Sequence, residues 1–396
     1  MDGAPVSKTG PMLESEEAAR SLGVKLSTLY AYVSRGLLTS HPAPDGRRSL
    51  FPADEVEALA RRSRGGRRTE TRLATVTTAI TQLRDDGPVY RGTRATDLAT
   101  SVPYEDAAEL LWQGDPPGAR PWAAVPVHPP PDMGTSDRLR WAVIMCGARD
   151  ELRSDLRPES VRTVARRLVA TLVRCVGPVP GTTPGIGAAD SVATALAVRL
   201  TATPDSSVVA AVNAALVLLA DHELAASTLA VRVAASARAD PYDAVLAGLA
   251  LMGGALHGGA SQLACTLLRQ AHGTSPARAF NETLRWDRVL PGFGHTVYRG
   301  TDPRFAVLWP VIGRLAPPEL RRTLDAVVDL AAVRGLPPPN VDLALAALAL
   351  GAGMPDDAGR TIFTIARVAG WTAHYLEELG EPPLRYRARA VYAGRG

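Results

Sequence analysis

Four polar stretches interrupt a chain otherwise rich in Ala and Leu. "PGFGHTVYRGTDPR", Pro291 to Arg304, packs three glycines, one histidine, two arginines and two prolines into fourteen positions. Its "PGFGH" half must be loop, and "DPR" presents Arg304 just after a proline-fixed turn. A histidine and an arginine on one rigid loop suit a small carboxylate lying beside a carbonyl that is to be polarised. In "GGALHGGASQLA", His257 sits between glycine pairs at a break before a new helix. A helix N-terminus there would keep the imidazole neutral, able to donate to a developing oxyanion; the alternative is close helix packing with a bystander histidine. In "PPPNVDLALAALAL", Asn340 is an N-cap and Asp342 falls in the first turn, where the helix dipole favours the ionised carboxylate. A carboxylate base facing two neutral histidines would take a proton from a carbon acid alpha to a carbonyl. His222, between Asp221 and Glu223 near the middle of an apolar helix pattern, reads on its own first as a core histidine with a backbone partner.

The elements that must position these residues fall into two parts. "ESEEAARSLGVKLSTLYAYVSRGLL" predicts a short amphipathic helix ending at "LG", a turn through Val24 and Lys25, and a second helix N-capped by Ser27 and closed at Gly36. A Pro/Asp/Gly turn carrying Arg47 and Arg48, an extended "SLF" and a third helix after Pro52 follow. "RRSRGGRRTETR" is Arg-rich, carries a Gly pair and has no apolar periodicity, the pattern of a flexible basic linker. From Leu73 onward, Ala/Leu/Val-rich helical segments alternate with Pro/Gly punctuation, and no stretch alternates with period two. The expectation is an all-α domain of many helices. "GIGAAD" near Gly185 has no preceding strand and reads as a helix-entry turn, not a dinucleotide loop.

A length of 396 residues fits two or three domains and a large apolar interior. The net charge of +4 does not by itself argue for nucleic acid, so only local clusters of Arg can. Cys146, Cys175 and Cys265 are odd in number and lack a CxxC pair, which argues against a disulfide framework and against a zinc site. They read as buried thiols of a reducing, cytoplasmic compartment. "MDGAPVSKTG" has no apolar core of a signal segment, and the most apolar runs are too short or too broken by glycine to span a bilayer. No metal, membrane or export expectation follows.

"DHELAAST…R", "LHGGA", "PGFGHTVYRGTDPR", "PNVD", "FTIARVAGWTAHYLEE" and "RYRARAVYAG", in that order, resemble the citrate synthase family, and the likeness runs from "VYRGTRATDLA" at Val89 to Gly394. The N-terminal pattern resembles the winged helix-turn-helix of the MerR and excisionase type, a module that ordinary citrate synthases lack. The resemblances imply a winged helix-turn-helix at 1–62, a basic linker at 63–72, an all-α large domain at 73–257 and 349–396, and a small domain at 258–348 that closes over substrate. They imply that Asp342 takes the methyl proton of acetyl-CoA, His257 hydrogen-bonds the thioester oxygen, and His295 polarises the oxaloacetate carbonyl and protonates the alkoxide. His222, Arg304 and Arg367 match oxaloacetate ligands, Arg387 matches an arginine contributed by the partner subunit of a homodimer, and Arg299 matches a CoA-phosphate contact. No resident cofactor is implied, since acetyl-CoA is a substrate. Three departures stand out: "LALA" follows "NVD" where the family has an aromatic, then Ser and Gly; Ser261 replaces the Asn of "HGGAN"; and Ala388 replaces the Pro of "RPR". The first bears on acyl-CoA preference. A 2-methylcitrate synthase using propionyl-CoA and a non-catalytic, metabolite-sensing transcriptional regulator are the alternatives; retention of His257, His295 and Asp342 together favours an enzyme. If the N-terminal module binds DNA, Lys25, Ser27, Thr28 and Tyr30 open the recognition helix, and Arg47, Arg48 and the linker arginines meet phosphates. Otherwise it packs on the enzyme or mediates assembly, its basic face tempered by acids such as Glu14, Glu16 and Glu17.

Overall fold

The computed structural model describes residues 12–22, 24–34, 36–43, 48–56, 59, 76–113, 121–177, 190–254, 257–286 and 289–387. The chain divides into two compact units, Met1–Thr75 and Val76–Gly396.

In the first unit, β1 (Met12–Glu14) leads into α1 (Ser15–Leu22) and α2 (Leu26–Ser34). Next come β2 (His41–Pro42), β3 (Ser49–Pro52) and a helix α3, described over 53–56. β3 pairs antiparallel with β1 on one side and β2 on the other. Ala18, Leu29, Leu38, Phe51 and Val56 form its small core. The α1–α2 pair is the helix-turn-helix read from the sequence, with one correction. The amides of Thr28 and Leu29 bond the Lys25 carbonyl at 2.9 and 3.1 Å, so Lys25, not Ser27, holds the cap position. The close is as expected: Gly36 takes φ +68°, and its amide and that of Leu37 return to the Val33 and Tyr32 carbonyls. Lys25, Ser27 and Tyr30 are exposed and Thr28 is half-buried. Arg48 is exposed and pairs with Glu14. Arg47 and the basic linker lie outside the described residues.

The second unit opens with an antiparallel sheet of β4 (Thr81–Arg84), β5 (Gly87–Tyr90) and β6 (Thr93–Arg94). The helices then follow: α4 (Ala95–Ser101), α5 (Tyr104–Trp112), α6 (Thr135–Ala148), α7 (Pro158–Cys175), α8 (Val192–Leu200), α9 (Ser206–Leu219), α10 (Ala226–Ser236) and α11 (Pro241–Met252). After them come α12 (Ala260–Gly273), α13 (Pro276–Trp286), α14 (Pro303–Leu315), α15 (Pro318–Val333), α16 (Val341–Gly351) and α17 (Ala358–Leu379). The architecture is the all-α one expected, plus a small sheet of β4, β5 and β6 that the sequence reading lacked.

Helix α17 organises this unit, packing against α7, α9, α10 and α11. Seventeen of its 22 residues are buried, so its polar side chains Arg367, His374 and Glu378 must find partners inside the protein. Helix α16 is apolar all round except for Asp342 and packs against α12 and α14. No described helix is long and apolar enough to cross a membrane, and the described residues hold no group of three or more His, Cys, Asp or Glu placed to bind a metal ion.

Candidate active site

His222, His257, His295, Arg304, Asp342 and Arg367 all line one cavity of about 380 Å³. They arrive from the α9–α10 bend, the loop before α12, the loop before α14, and the first turns or faces of α14, α16 and α17. His222 is therefore not inside a helix, as its surroundings suggested, but on the bend between Leu219 and Ala226. Glu223 holds the left-handed φ of +55°, and its amide bonds Asp221 Oδ2 at 3.1 Å, which breaks the helix without a Gly or Pro.

The Pro291–Arg304 loop is stitched to the N-terminus of α16. Gly292 and Gly294 take φ of +84° and +76°, and a Cβ on Gly292 would come within 2.9 Å of Leu343 Cβ. The Gly294 amide bonds the Pro338 carbonyl at 2.7 Å, the Asn340 amide bonds the Gly292 carbonyl at 2.9 Å, and Asn340 Nδ2 bonds the Gly294 carbonyl at 2.7 Å. Asn340 Oδ1 accepts the Asp342 amide at 2.9 Å, the cap expected from the sequence. Asp302, which the sequence reading passed over, is the second clasp. It is buried, grips Arg304 in a bidentate pair at 3.0 and 2.8 Å, and accepts the Val341 amide at 3.1 Å. One carboxylate thereby fixes a cavity arginine against the turn that carries Asp342.

Hydrogen bonding constrains the tautomer of His295. The amides of Val297 and Tyr298 donate to His295 Nδ1 at 3.0 and 3.3 Å, so the ring proton belongs on Nε2. His295 Nε2 lies 3.2 Å from Arg304 Nη2, so that one anionic or carbonyl oxygen can reach both groups. His222 Nε2 meets the Tyr298 hydroxyl at 3.2 Å, and the two histidine rings stand edge to face, 5.3 Å apart. Ser227, also unforeseen, takes the Trp371 indole N–H at 3.3 Å and lies 2.8 Å from His257 Nε2. A serine proton directed to Nε2 would place the imidazole N–H of His257 on Nδ1.

All three imidazoles are held neutral. Burial pushes each down, aided by Arg304 at His222 and His295 and by Arg367 at His222 and His257. For His257 the cause is thus burial and a neighbouring cation, where the sequence suggested a helix terminus. Asp342 also corrects an expectation: burial outweighs Arg304 and lifts its carboxyl to about 6, although it stands in the first turn of α16. Such a carboxylate is ionised at neutral pH yet basic enough to accept a proton.

Arg367 is 1% exposed. Its Nε donates to the Leu219 carbonyl at 2.9 Å and its guanidinium lies 4.7 Å from the centre of the Phe363 ring. Neither Nη1 nor Nη2 has a hydrogen-bond partner among the described residues. Arg299 and Arg387 are exposed and do not line the cavity. Of the three departures, Leu343 packs on Gly292, Ser261 is buried against Gly359, and Ala388 lies outside the described residues.

A family model described as "Citrate synthase, C-terminal domain" matches residues 70–388, and one described as "Helix-turn-helix domain" matches residues 12–64. The chain belongs to the citrate synthase family. Citrate synthase 2 of Bacillus subtilis is 28% identical over 81% of this chain and 94% of its own length. The 2-methylcitrate synthase of Mycobacterium tuberculosis is 28% identical over 80% of this chain and 88% of its own. The citrate synthase of Dictyostelium discoideum is 34% identical, over 45% of this chain and 37% of its own. Among solved structures, citrate synthase from Thermotoga maritima shares the fold with a TM-score of 0.69 at 24% identity, covering 82% of this chain and 94% of that one. A ternary complex of carboxymethyl coenzyme A and oxaloacetate with Thermoplasma acidophilum citrate synthase superposes with a TM-score of 0.68 at 24% identity, over 82% of this chain and 95% of that one. This family of condensing enzymes accounts for the second unit, and the helix-turn-helix is an addition to it.

Proposed function

We propose that the protein condenses acetyl-CoA with oxaloacetate to give citrate and CoA. The observation that carries this reading is the buried Arg367 guanidinium, whose two unpartnered nitrogens share a cavity with Arg304, three neutral histidines and a base at about 6. Arg304, Arg367 and His222 hold the oxaloacetate carboxylates. Asp342 removes a proton from the thioester methyl carbon while the His257 N–H stabilises the enol oxygen. The new carbon–carbon bond forms at the oxaloacetate carbonyl, whose oxygen takes the His295 Nε2 proton, and water then cleaves the citryl thioester. A carboxylate is a weak base for a carbon acid, so the donors must act as the charge develops. No resident cofactor or metal enters. Residues 258–348 are the domain that closes over substrate, and the enzyme works as a cytoplasmic homodimer, with Arg387 reaching the partner's site and Arg299 meeting CoA phosphates.

Propionyl-CoA, giving 2-methylcitrate, is the competing substrate. It differs by one methylene, which an apolar pocket discriminates by roughly 1–3 kcal/mol. CoA thiol release from each thioester with oxaloacetate, with Asp342→Ala as control, tests the reading: turnover lost in the control supports it, and the acyl-CoA ratio names the substrate. No turnover with either thioester, from folded protein that binds oxaloacetate, favours a sensor-regulator. The helix-turn-helix, with Lys25, Ser27 and Tyr30 exposed on or beside α2, supports that second reading and DNA as a partner.

A further inference from the structure

One buried acid beside the cavity takes no part in the proposed chemistry. Asp221 is fully buried and faces the side of α17 that carries Arg367, Gly370 and His374, spaced three and four residues apart on one helical face. The bend lies directly on that face. The Gly370 amide bonds the Ala220 carbonyl at 2.9 Å, and a Cβ at Gly370 would fall 2.2 Å from Asp221 Oδ1. Asp221 Oδ2 is 3.3 Å from His374 Nε2, while the Tyr90 hydroxyl grips the Asp221 amide and carbonyl at 3.2 and 3.1 Å. The carboxylate is therefore fixed from several sides, next in sequence to His222 and two residues from the carbonyl that holds Arg367 Nε.

A buried guanidinium with no carboxylate on its Nη atoms needs a counter-charge nearby, or the cost of desolvation falls on it uncompensated. A carboxylate bound directly to those atoms would satisfy them but block the cavity. We propose that Asp221 is a positioning residue that balances Arg367 from behind, through space, leaving Nη1 and Nη2 for a carboxylate in the cavity. Gly370 is what lets it approach: any side chain there would displace it. Its electrostatics agree. Burial alone would raise the Asp221 carboxyl, but His374 and Arg367 hold it below its usual range, and Asp221 is the largest support of the Arg367 charge against burial.

The test is a double-mutant cycle in the full-length chain, read by thermal unfolding of the parent, Asp221→Asn, Arg367→Met and the double variant. Each single change strands one buried charge and lowers Tm; the double change removes both, so its Tm is expected to exceed that of either single variant. Additive losses, as from an acid that only shapes the bend, would overturn the proposal. Should Asp221→Asn alone fail to accumulate, recovery of folded protein in the double variant supports the pairing, and failure of both overturns it. The second readout rests on the synthase reading for its choice of ligand. Oxaloacetate supplies the negative charge that Asp221→Asn lacks, so it should raise the Tm of that variant by more than it raises the parent's; a smaller rise counts against the proposal. Neither measurement needs turnover, so absence of thiol release would sink the synthase reading while leaving the cycle's result for Asp221 intact.

Discussion

Asp342 is asked to be both a stable part of a fold and a base, and its burial sets these against each other. With the carboxyl at about 6 in the folded chain against an ordinary value near 3.8, the folded state binds the proton more tightly than the unfolded one. Its favourable contribution is thus present below about pH 4 and is lost as the pH rises through 6. At pH 8 the shift is a penalty of roughly 3 kcal/mol, so Asp342→Asn should unfold at higher urea than the parent at pH 8, with the difference vanishing near pH 4. The same variant should abolish thiol release. In the parent, kcat/KM should fall below about pH 6 as Asp342 takes up its proton. Ser227 makes a different demand. It touches His257 and not the cavity, so Ser227→Ala should lower kcat by roughly 10- to 100-fold through loss of the fixed tautomer. The KM for oxaloacetate should change little, and steady-state kinetics separates the two constants.

At the scale of elements, the site depends on two glycines that hold the His295 loop in left-handed turns. Gly292→Ala would place a methyl group against Leu343 at a φ of +84°, combining backbone strain of about 1–2 kcal/mol with overpacking of about 1–3 kcal/mol. Denaturant unfolding should show that loss, and because the contact is with Leu343 Cβ, which alanine keeps, Gly292→Ala/Leu343→Ala should recover little of it. This loop was legible in the sequence because Gly and Pro announce it, as Asn340 announced the start of α16. The helices were legible for a similar reason, their apolar residues recurring with helical spacing over seven or more positions. The sheet of β4, β5 and β6 was not, because strands of two to four residues offer too few alternations to register a period of two. His222 was misplaced because "LLADHELAAST" carries no breaker, and its bend is made by an Asp221 carboxylate bonding to the Glu223 amide. Asp302 and Ser227 went unread for a further reason: each acts through partners distant in sequence, Val341 for one and His257 and Trp371 for the other.

At the scale of the whole molecule, the question is what a helix-turn-helix adds to a condensing enzyme. Exposed polar groups at the start of α2 offer a surface for a groove, but Arg48, before β3, is not free of competition, because it pairs with Glu14 on the exposed face of the first unit. A phosphate must therefore share Arg48 with that carboxylate. Exposed pairs are worth little, about 0–1 kcal/mol, so the carboxylate tunes the interaction without preventing it. If DNA is the partner, Glu14→Gln should tighten binding in a gel-shift or anisotropy titration, since it removes a competitor and a repelling charge. Arg47→Ala with Arg48→Ala should weaken binding on all sequences and reduce the slope of log K against log salt by about 2, one for each phosphate no longer neutralised. A titration in which neither variant moves the salt slope would assign the module to protein contacts instead. In that case the arginine-rich segment that follows it would be a tether between two units, and the helix-turn-helix an assembly element of the synthase.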